Sequence, residues 1–173
     1  MNTAIGRPEA GEAAAYYFGY INQVEGDDAL AEIEAQLDPA LKFFSGISAE
    51  KSLHRYAPEK WSIRETLNHI SDVERVFTMR ALWFARGLTT PMPSFDQNVG
   101  VTGAMADSFA WPAHIEEFHR VRMATTSFYR NLPVEAWSRR GIASGNPFSV
   151  RATAYVIAGH LTHHIKIVRE RYL

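Results

Sequence analysis

Two histidines one helical turn apart form the most chemically specific pattern in the sequence. His160 and His164 lie in a C-terminal segment whose apolar residues recur at helical spacing. Both imidazoles fall in the middle of the apolar stripe, so they point the same way, towards the core. Imidazoles at positions i and i+4 can bind one metal ion, as in the helix of metalloproteases. The alternative is a pair of core histidines held by hydrogen bonds, and this helix alone leaves both interpretations open.

A metal site needs at least one further ligand, and His69 is the best candidate in the rest of the chain. It borders the apolar face of a helix that begins after Ser62. Glu65 and Asp72 flank it on the same side, about one turn away in either direction. They are therefore candidate catalytic residues, either as general bases or as carboxylates that orient a metal-bound imidazole. Three other histidines lie in polar or charged segments and are predicted to be solvated: His54, His114 and His119.

The segment 88–107 contains two prolines and two glycines and predicts a long loop. Such a loop is uncommon in a compact domain and is often functional, so it is a candidate lid or pocket wall. The alternative is a loop that only covers the end of the bundle or forms a dimer contact. Arg80, on the His69 face, could bind an anionic substrate group or form a salt bridge within the bundle. The candidate substrate-binding residues are Phe95, Asp96, Gln97, Asn98 and Arg80.

The elements that must position these residues are helices. Ser62 and Glu65 form a capping box, Gly87 is a stop signal, and Pro39 is expected to bend or split its helix. The predicted helices cover 8–24, 29–47, 62–87, a range from 107 or 108 to 133, and 149–173. Trp61 and Phe148 are expected to pack just before two helix caps, outside any binding site. No stretch shows the alternation of a strand. The pattern predicts an all-α chain, a four-helix bundle that forms a single domain over residues 1–173.

Composition excludes several classes of protein. The chain has 173 residues, no cysteine and a formal net charge of −1. Disulfides, thiolate metal sites and a cysteine nucleophile are therefore absent, and the charge gives no reason to expect a nucleic-acid partner. No apolar run has the length of a membrane span, and the first residues do not have the pattern of a signal peptide. These features predict a cytoplasmic protein that does not bind a membrane.

Four segments resemble the DinB-like superfamily, and more specifically its YfiT-type branch. They are WSIRETLNHISDVERVFTMRALWFARG, PMPSFDQN, FHRVRMATTSFYRNL and SVRATAYVIAGHLTHHIKIVRERYL. The resemblance extends from about residue 16 to residue 173. Its diagnostic part is one histidine on the second bundle helix and an H-x-x-x-H pattern on the last, which correspond to His69, His160 and His164.

The resemblance implies a bundle with up-up-down-down connections, a frequent homodimer, and one divalent transition metal held by the three histidines. Zinc or nickel is expected first, and iron or manganese is also compatible. The superfamily includes S-transferases that join a low-molecular-weight thiol to an electrophile, so the expected partners are small-molecule substrates. Two alternatives stay open: a metal-dependent hydrolase that uses metal-bound water, and a non-enzymatic binding or stress-response module with a structural metal.

Overall fold

The computed structural model describes residues 5–173, most of which are helical. The helices are α1 (Phe18–Ile21), α2 (Ala29–Ala35), α3 (Leu37–Ser45), α4 (Ile63–Ala85), α5 (Gln97–Ala104), α6 (Trp111–Arg130) and α7 (Val150–Ile167). A π-helical turn, Val168–Tyr172, continues α7, and four short 3-10 turns lie at Ala15–Tyr17, Lys51–Leu53, Ala106–Ser108 and Val134–Ala136. The strands β1 (Arg140–Ala143) and β2 (Asn146–Ser149) pair antiparallel.

Four rods form the bundle: α2 with α3, then α4, α6 and α7. Both α4 and the α2–α3 rod pack against α6 and against α7. Rods that follow each other in sequence, α2–α3 with α4 and α6 with α7, therefore face each other across diagonals of the bundle. Crossing a diagonal requires a long connection, which explains the long segments 46–62 and 131–149. The segment 86–110 joins the neighbouring rods α4 and α6 and is long because it contains α5. Within residues 5–173, no helix combines the length and apolar composition needed to cross a bilayer.

The helix signals read from the sequence mark the ends of α4 and the break before α3. The Ser62 side chain accepts a hydrogen bond from the Glu65 amide, and the Glu65 carboxylate accepts one from the Ser62 amide. Gly87 follows the end of α4 with φ +77°, a left-handed conformation that favours glycine. The helix α2 ends at Ala35, four residues before Pro39. A proline ring clashes with the carbonyl four residues earlier, which explains the break at this point.

Three predicted helix boundaries were wrong. Between residues 8 and 24 only Ala15–Tyr17 and α1 are helical, and Gly11 at φ +88° interrupts the preceding segment. The predicted loop 88–107 contains α5. Asp96 caps this helix by accepting hydrogen bonds from the Asn98 and Val99 amides. The following helix begins at Trp111 rather than at 107 or 108, since those residues form a 3-10 turn.

A hairpin between α6 and α7 was also missed. Residues 138–147 were expected to be a plain connection, but β1 and β2 pair there around Ser144 and Gly145. Both turn residues have positive φ, 54° and 73°, as a type I′ turn requires. Strands of four residues are too short to show alternation in the sequence. The hairpin is tied to the start of segment 88–107: the Met92 amide donates to the Ile142 carbonyl oxygen, and the Ser144 amide donates to the Met92 carbonyl oxygen.

Candidate metal centre

Three imidazoles converge between α4 and α7. His69 is on α4, and His160 and His164 lie one turn apart on α7. The Nε2 atom of His160 is 3.1 Å from Nε2 of His69 and 3.0 Å from Nε2 of His164. The ligand atoms of all three rings lie within 4.8 Å of one another, and all three residues are buried. The three rings therefore present their ring nitrogens to one common point.

Hydrogen bonds between the rings cannot satisfy this arrangement. The His160 Nε2 atom is the shared member of both close contacts. In a neutral imidazole that atom carries either one hydrogen or one in-plane lone pair, so it can make one well-directed hydrogen bond. One conventional hydrogen bond can form, and the other contact then lacks a matched donor and acceptor. A cation at the common point would use all three lone pairs at once.

Burial keeps the three imidazoles neutral. It lowers the pKa of His69 to about 4. Burial also lowers the pKa of His160 and of His164 well below the ordinary value, and the neighbouring imidazoles lower both further. Neutral imidazole is the form that ligates a metal ion, so the triad is held in its ligating state at neutral pH.

The spacing of the nitrogens fits a tetrahedral zinc-type site. Two nitrogens bound to one zinc ion at about 2.0–2.1 Å lie about 3.3 Å apart, close to the observed Nε2–Nε2 distances of 3.0 and 3.1 Å. Three protein ligands also leave one coordination position for water or substrate, as in catalytic rather than structural zinc sites. Among the described residues no carboxylate joins the group.

Aromatic rings enclose the triad on two sides. The Trp61 ring lies 4.7 Å from the His69 ring, between centroids. Tyr20 of α1 packs edge-on against His160 at 5.3 Å and against His163 at 5.2 Å. Trp61 was expected to lie outside any site. That expectation was wrong, because the Trp61 side chain, just before the cap of α4, lies against the His69 ring. Tyr20 was missed altogether, because it belongs to a distant segment and only the tertiary fold brings it to α7.

Gly159 lets α1 approach this part of α7. A Cβ atom at residue 159 would lie 2.0 Å from the Tyr20 carbonyl oxygen, a contact that only a backbone shift could relieve. We expect Gly159→Ala to destabilise the fold by about 1–3 kcal/mol and to move Tyr20 away from His160. Urea unfolding measures the loss. Gly19→Ala in α1 is the matched control, because a Cβ there meets nothing within 4 Å, and a loss as large as for Gly159→Ala would contradict the packing explanation.

The two candidate catalytic carboxylates are engaged away from the triad. The Glu65 carboxylate accepts hydrogen bonds from the Ser62 amide and the Arg55 guanidinium. Asp72 pairs with Arg75, and burial, opposed by that pair, raises the pKa of Asp72. The His69 Nδ1 atom is buried without a hydrogen-bond partner among residues 5–173. The expected carboxylate–imidazole contact is therefore absent from the described part of the chain, and a catalytic role for either carboxylate stays a prediction.

A narrow cavity of about 80 Å³ leads to the triad through His160. Of the candidate substrate contacts, Arg80, Phe95 and Gln97 line it. Asp96 instead caps α5, and Asn98 is exposed on that helix. The remaining lining residues come from the 3-10 turn before α1, from α1, α4, the hairpin and α7: Tyr16, Tyr17, Tyr20, Val73, Val76, Phe77, Ser144 and Val156.

Of the histidines predicted to be solvated, His114 is buried. Its Nε2 atom lies 2.9 Å from the Ala106 carbonyl oxygen, because the 3-10 turn after α5 folds over the first turn of α6. His54 is exposed and His119 is half-exposed, as predicted. None of these residues lies in the described metal-ligating group.

A family comparison identifies the fold to which this site belongs. The model of the DinB superfamily matches residues 32–168. This range contains all three histidines of the triad and all four bundle rods, apart from the first residues of α2. The chain belongs to the DinB superfamily. No curated protein matches it.

A solved structure supports the same fold for this DinB protein. YfiT from Bacillus subtilis is described as a probable metal-dependent hydrolase with an unusual four-helix bundle topology. The two chains align with a TM-score of 0.69 at 15% sequence identity, over 94% of this chain and 89% of YfiT. The predicted four-helix bundle with up-up-down-down topology is thus confirmed, with the β1–β2 hairpin as an addition to it.

Proposed function

We propose that this DinB protein is a metal-dependent enzyme in which His69, His160 and His164 hold one divalent transition metal. Zinc or nickel is the first choice, and iron or manganese also suits imidazole ligands. Its reaction would be the transfer of a low-molecular-weight thiol to an electrophile. The observation that carries the proposal is the convergence of three buried imidazoles with nitrogens 3.0–3.1 Å apart.

The donor set and the sequence favour a thiol cosubstrate. A divalent ion held by three neutral imidazoles would act as a Lewis acid and lower the pKa of a thiol or water in the open position. The chain contains no cysteine, so any sulfur nucleophile must come from a substrate. In the transfer, the thiol loses its proton to solvent, its sulfur bonds to the electrophilic carbon, and the leaving group departs with the electron pair of the broken bond.

The surrounding side chains orient the reactants and limit water. Tyr20 and Trp61 cover two sides of the triad, and His160 faces the cavity. Apolar walls from Val73, Phe77 and Val156 would hold the organic part of a substrate next to the open position. Burial of the imidazoles keeps them neutral and fixes their nitrogens towards one point.

Hydrolysis is the second candidate. The description of YfiT as a probable metal-dependent hydrolase favours it, and the same donor set would serve a water nucleophile. General-base assistance to that reaction would need a proton acceptor close to the open position. The two candidate acceptors, Glu65 and Asp72, are instead paired with arginines, so we rank thiol transfer first.

Cobalt substitution tests the proposal directly. We expect a thiol such as 2-mercaptoethanol to add an intense thiolate-to-cobalt absorption band to the cobalt-loaded protein. His160→Ala should lack the band, and His163→Ala should keep it, because His163 lies outside the ligating group. A cobalt spectrum that no thiol changes would reject thiol transfer. Metal removal that unfolds the protein, with no thiol or hydrolytic activity found, would instead support a binding module with a structural metal.

A further inference from the structure

Arg80 is a buried cation without a carboxylate partner. Its residue is 3% exposed, and no ion pair to it forms among residues 5–173. Every other buried arginine is held differently: Arg122 pairs with Glu74, and Arg64 donates to three backbone carbonyls and a serine. An unpaired buried charge is costly, so its retention calls for a ligand.

The protein fixes one edge of this guanidinium and leaves the rest available. The Nη2 atom donates to the Pro93 carbonyl oxygen at 3.1 Å and to the Ser144 hydroxyl at 2.9 Å. The Phe77 ring lies 4.9 Å from the guanidinium carbon. The Tyr17 hydroxyl also interacts with the guanidinium. The Nε and Nη1 donors form no hydrogen bond of ordinary geometry to residues 5–173. The Pro93 and Ser144 contacts come from two segments that the hairpin holds together. The fold itself therefore sets the orientation of the guanidinium.

Arg80 and one residue of the triad, His160, line the same cavity. His160 lines one end of it, and along α4 the lining runs from Val73 to Arg80. Seven residues of α-helix span roughly 10 Å. The intervening residues of α4 are apolar, whereas three tyrosines and Gln97 add hydroxyl and amide groups to the lining. None of the described lining residues is an aspartate or glutamate. The cavity therefore joins a histidine of the triad to a cationic group, with apolar side chains of α4 and neutral polar groups between them.

We propose that the substrate is an elongated organic anion whose carboxylate or similar group binds Arg80 while its reacting end meets the histidine triad. This inference rests on the proposed function, because it takes the triad as the reacting end. The unpaired Nε and Nη1 donors match the two oxygens of a carboxylate in a bidentate arrangement. Arg80 is thus a substrate-binding residue that sets specificity, separate from the groups that hold the metal.

Two matched pairs of probes separate the anion site from the metal chemistry. The first pair is 6-mercaptohexanoate and 6-mercaptohexanol, titrated into the cobalt-loaded protein by absorption. The second is hexanoate and 1-hexanol, titrated into the metal-free protein by NMR. Each probe is compared in the parent, in Arg80→Met and in Arg120→Met, which removes the same charge from an exposed site on α6.

We expect the parent and Arg120→Met to bind each anion at least about tenfold more tightly than its alcohol, and Arg80→Met to lose that preference. Equal binding of the acid and the alcohol in the parent would overturn the inference while leaving thiol transfer intact. Cobalt spectra that no thiol changes, with an Arg80-dependent preference for hexanoate, would reject thiol transfer and support the anion site. If Arg80→Met does not fold, the same comparison of acid and alcohol binding in Arg80→Lys and in the parent tests the inference.

Discussion

His160→Ala is expected to reduce the transition metal bound to the purified protein from about one equivalent to almost none. His160 is central to the group, because its Nε2 atom is within 3.1 Å of both other ligand nitrogens. Loss of a hydrogen bond to a metal ligand alone typically weakens metal binding 10- to 100-fold. Removal of a ligand from a three-ligand site should weaken it at least about a hundredfold. Elemental mass spectrometry on tag-free protein measures the content.

His163→Ala is the matched control for this loss. His163 is on the same helix and its ring contacts those of Tyr20 and His164, but it is not in the ligating group. It should keep about one equivalent of metal, as should the parent. His164→Ala and His69→Ala should behave like His160→Ala. A parent protein that holds no metal even after reconstitution would mean that the triad is not a metal site.

Arg122→Met is expected to destabilise the bundle by about 3–5 kcal/mol. Arg122 is fully buried and donates to the Glu74 carboxylate, the Ile33 carbonyl and the Gln36 amide oxygen. Its removal leaves the Glu74 carboxylate, 2% exposed, without a counter-charge between α4 and α6. The free energy of unfolding in urea measures the effect.

An exposed ion pair made by another arginine of α6 serves as the control. Arg130 of α6 pairs with Glu34 of α2 at the surface, so Arg130→Met should cost less than about 1 kcal/mol. The double variant Arg122→Met with Glu74→Met should be more stable than Arg122→Met alone, because it removes the unpaired charge and fills the space with apolar atoms. A double variant less stable than the single one would contradict this explanation.

The ligand triad could be predicted because its geometry is mostly local. His160 and His164 share one helix, so their common direction follows from the helical period alone. His69 was identified by its place on the apolar face of α4, and capping signals at Ser62 and Gly87 fixed the ends of that helix. These arguments need no knowledge of how the rods pack.

The surroundings of the triad could not be predicted because they depend on long-range contacts. Tyr20 reaches His160 through the close approach of α1 at Gly159, which no pattern in either segment indicates. Glu65 is one turn from His69 on the same helix, but its carboxylate bends back to cap the helix and pair with Arg55. The Ser144 contact to Arg80 depends on a hairpin too short to detect. The homodimer and the cytoplasmic location stay predictions.

The position of the triad in the chain would give a bound ion a second effect. His69 and His160 are 91 residues apart in sequence, and a chain without cysteine has no disulfide to join such distant segments. An ion that bridges them would act as a reversible cross-link. In the chain-entropy model, closing a loop of this length lowers the entropy of the unfolded state by an amount equivalent to about 4–5 kcal/mol. Metal supply would then set the lifetime of the fold as well as its chemistry.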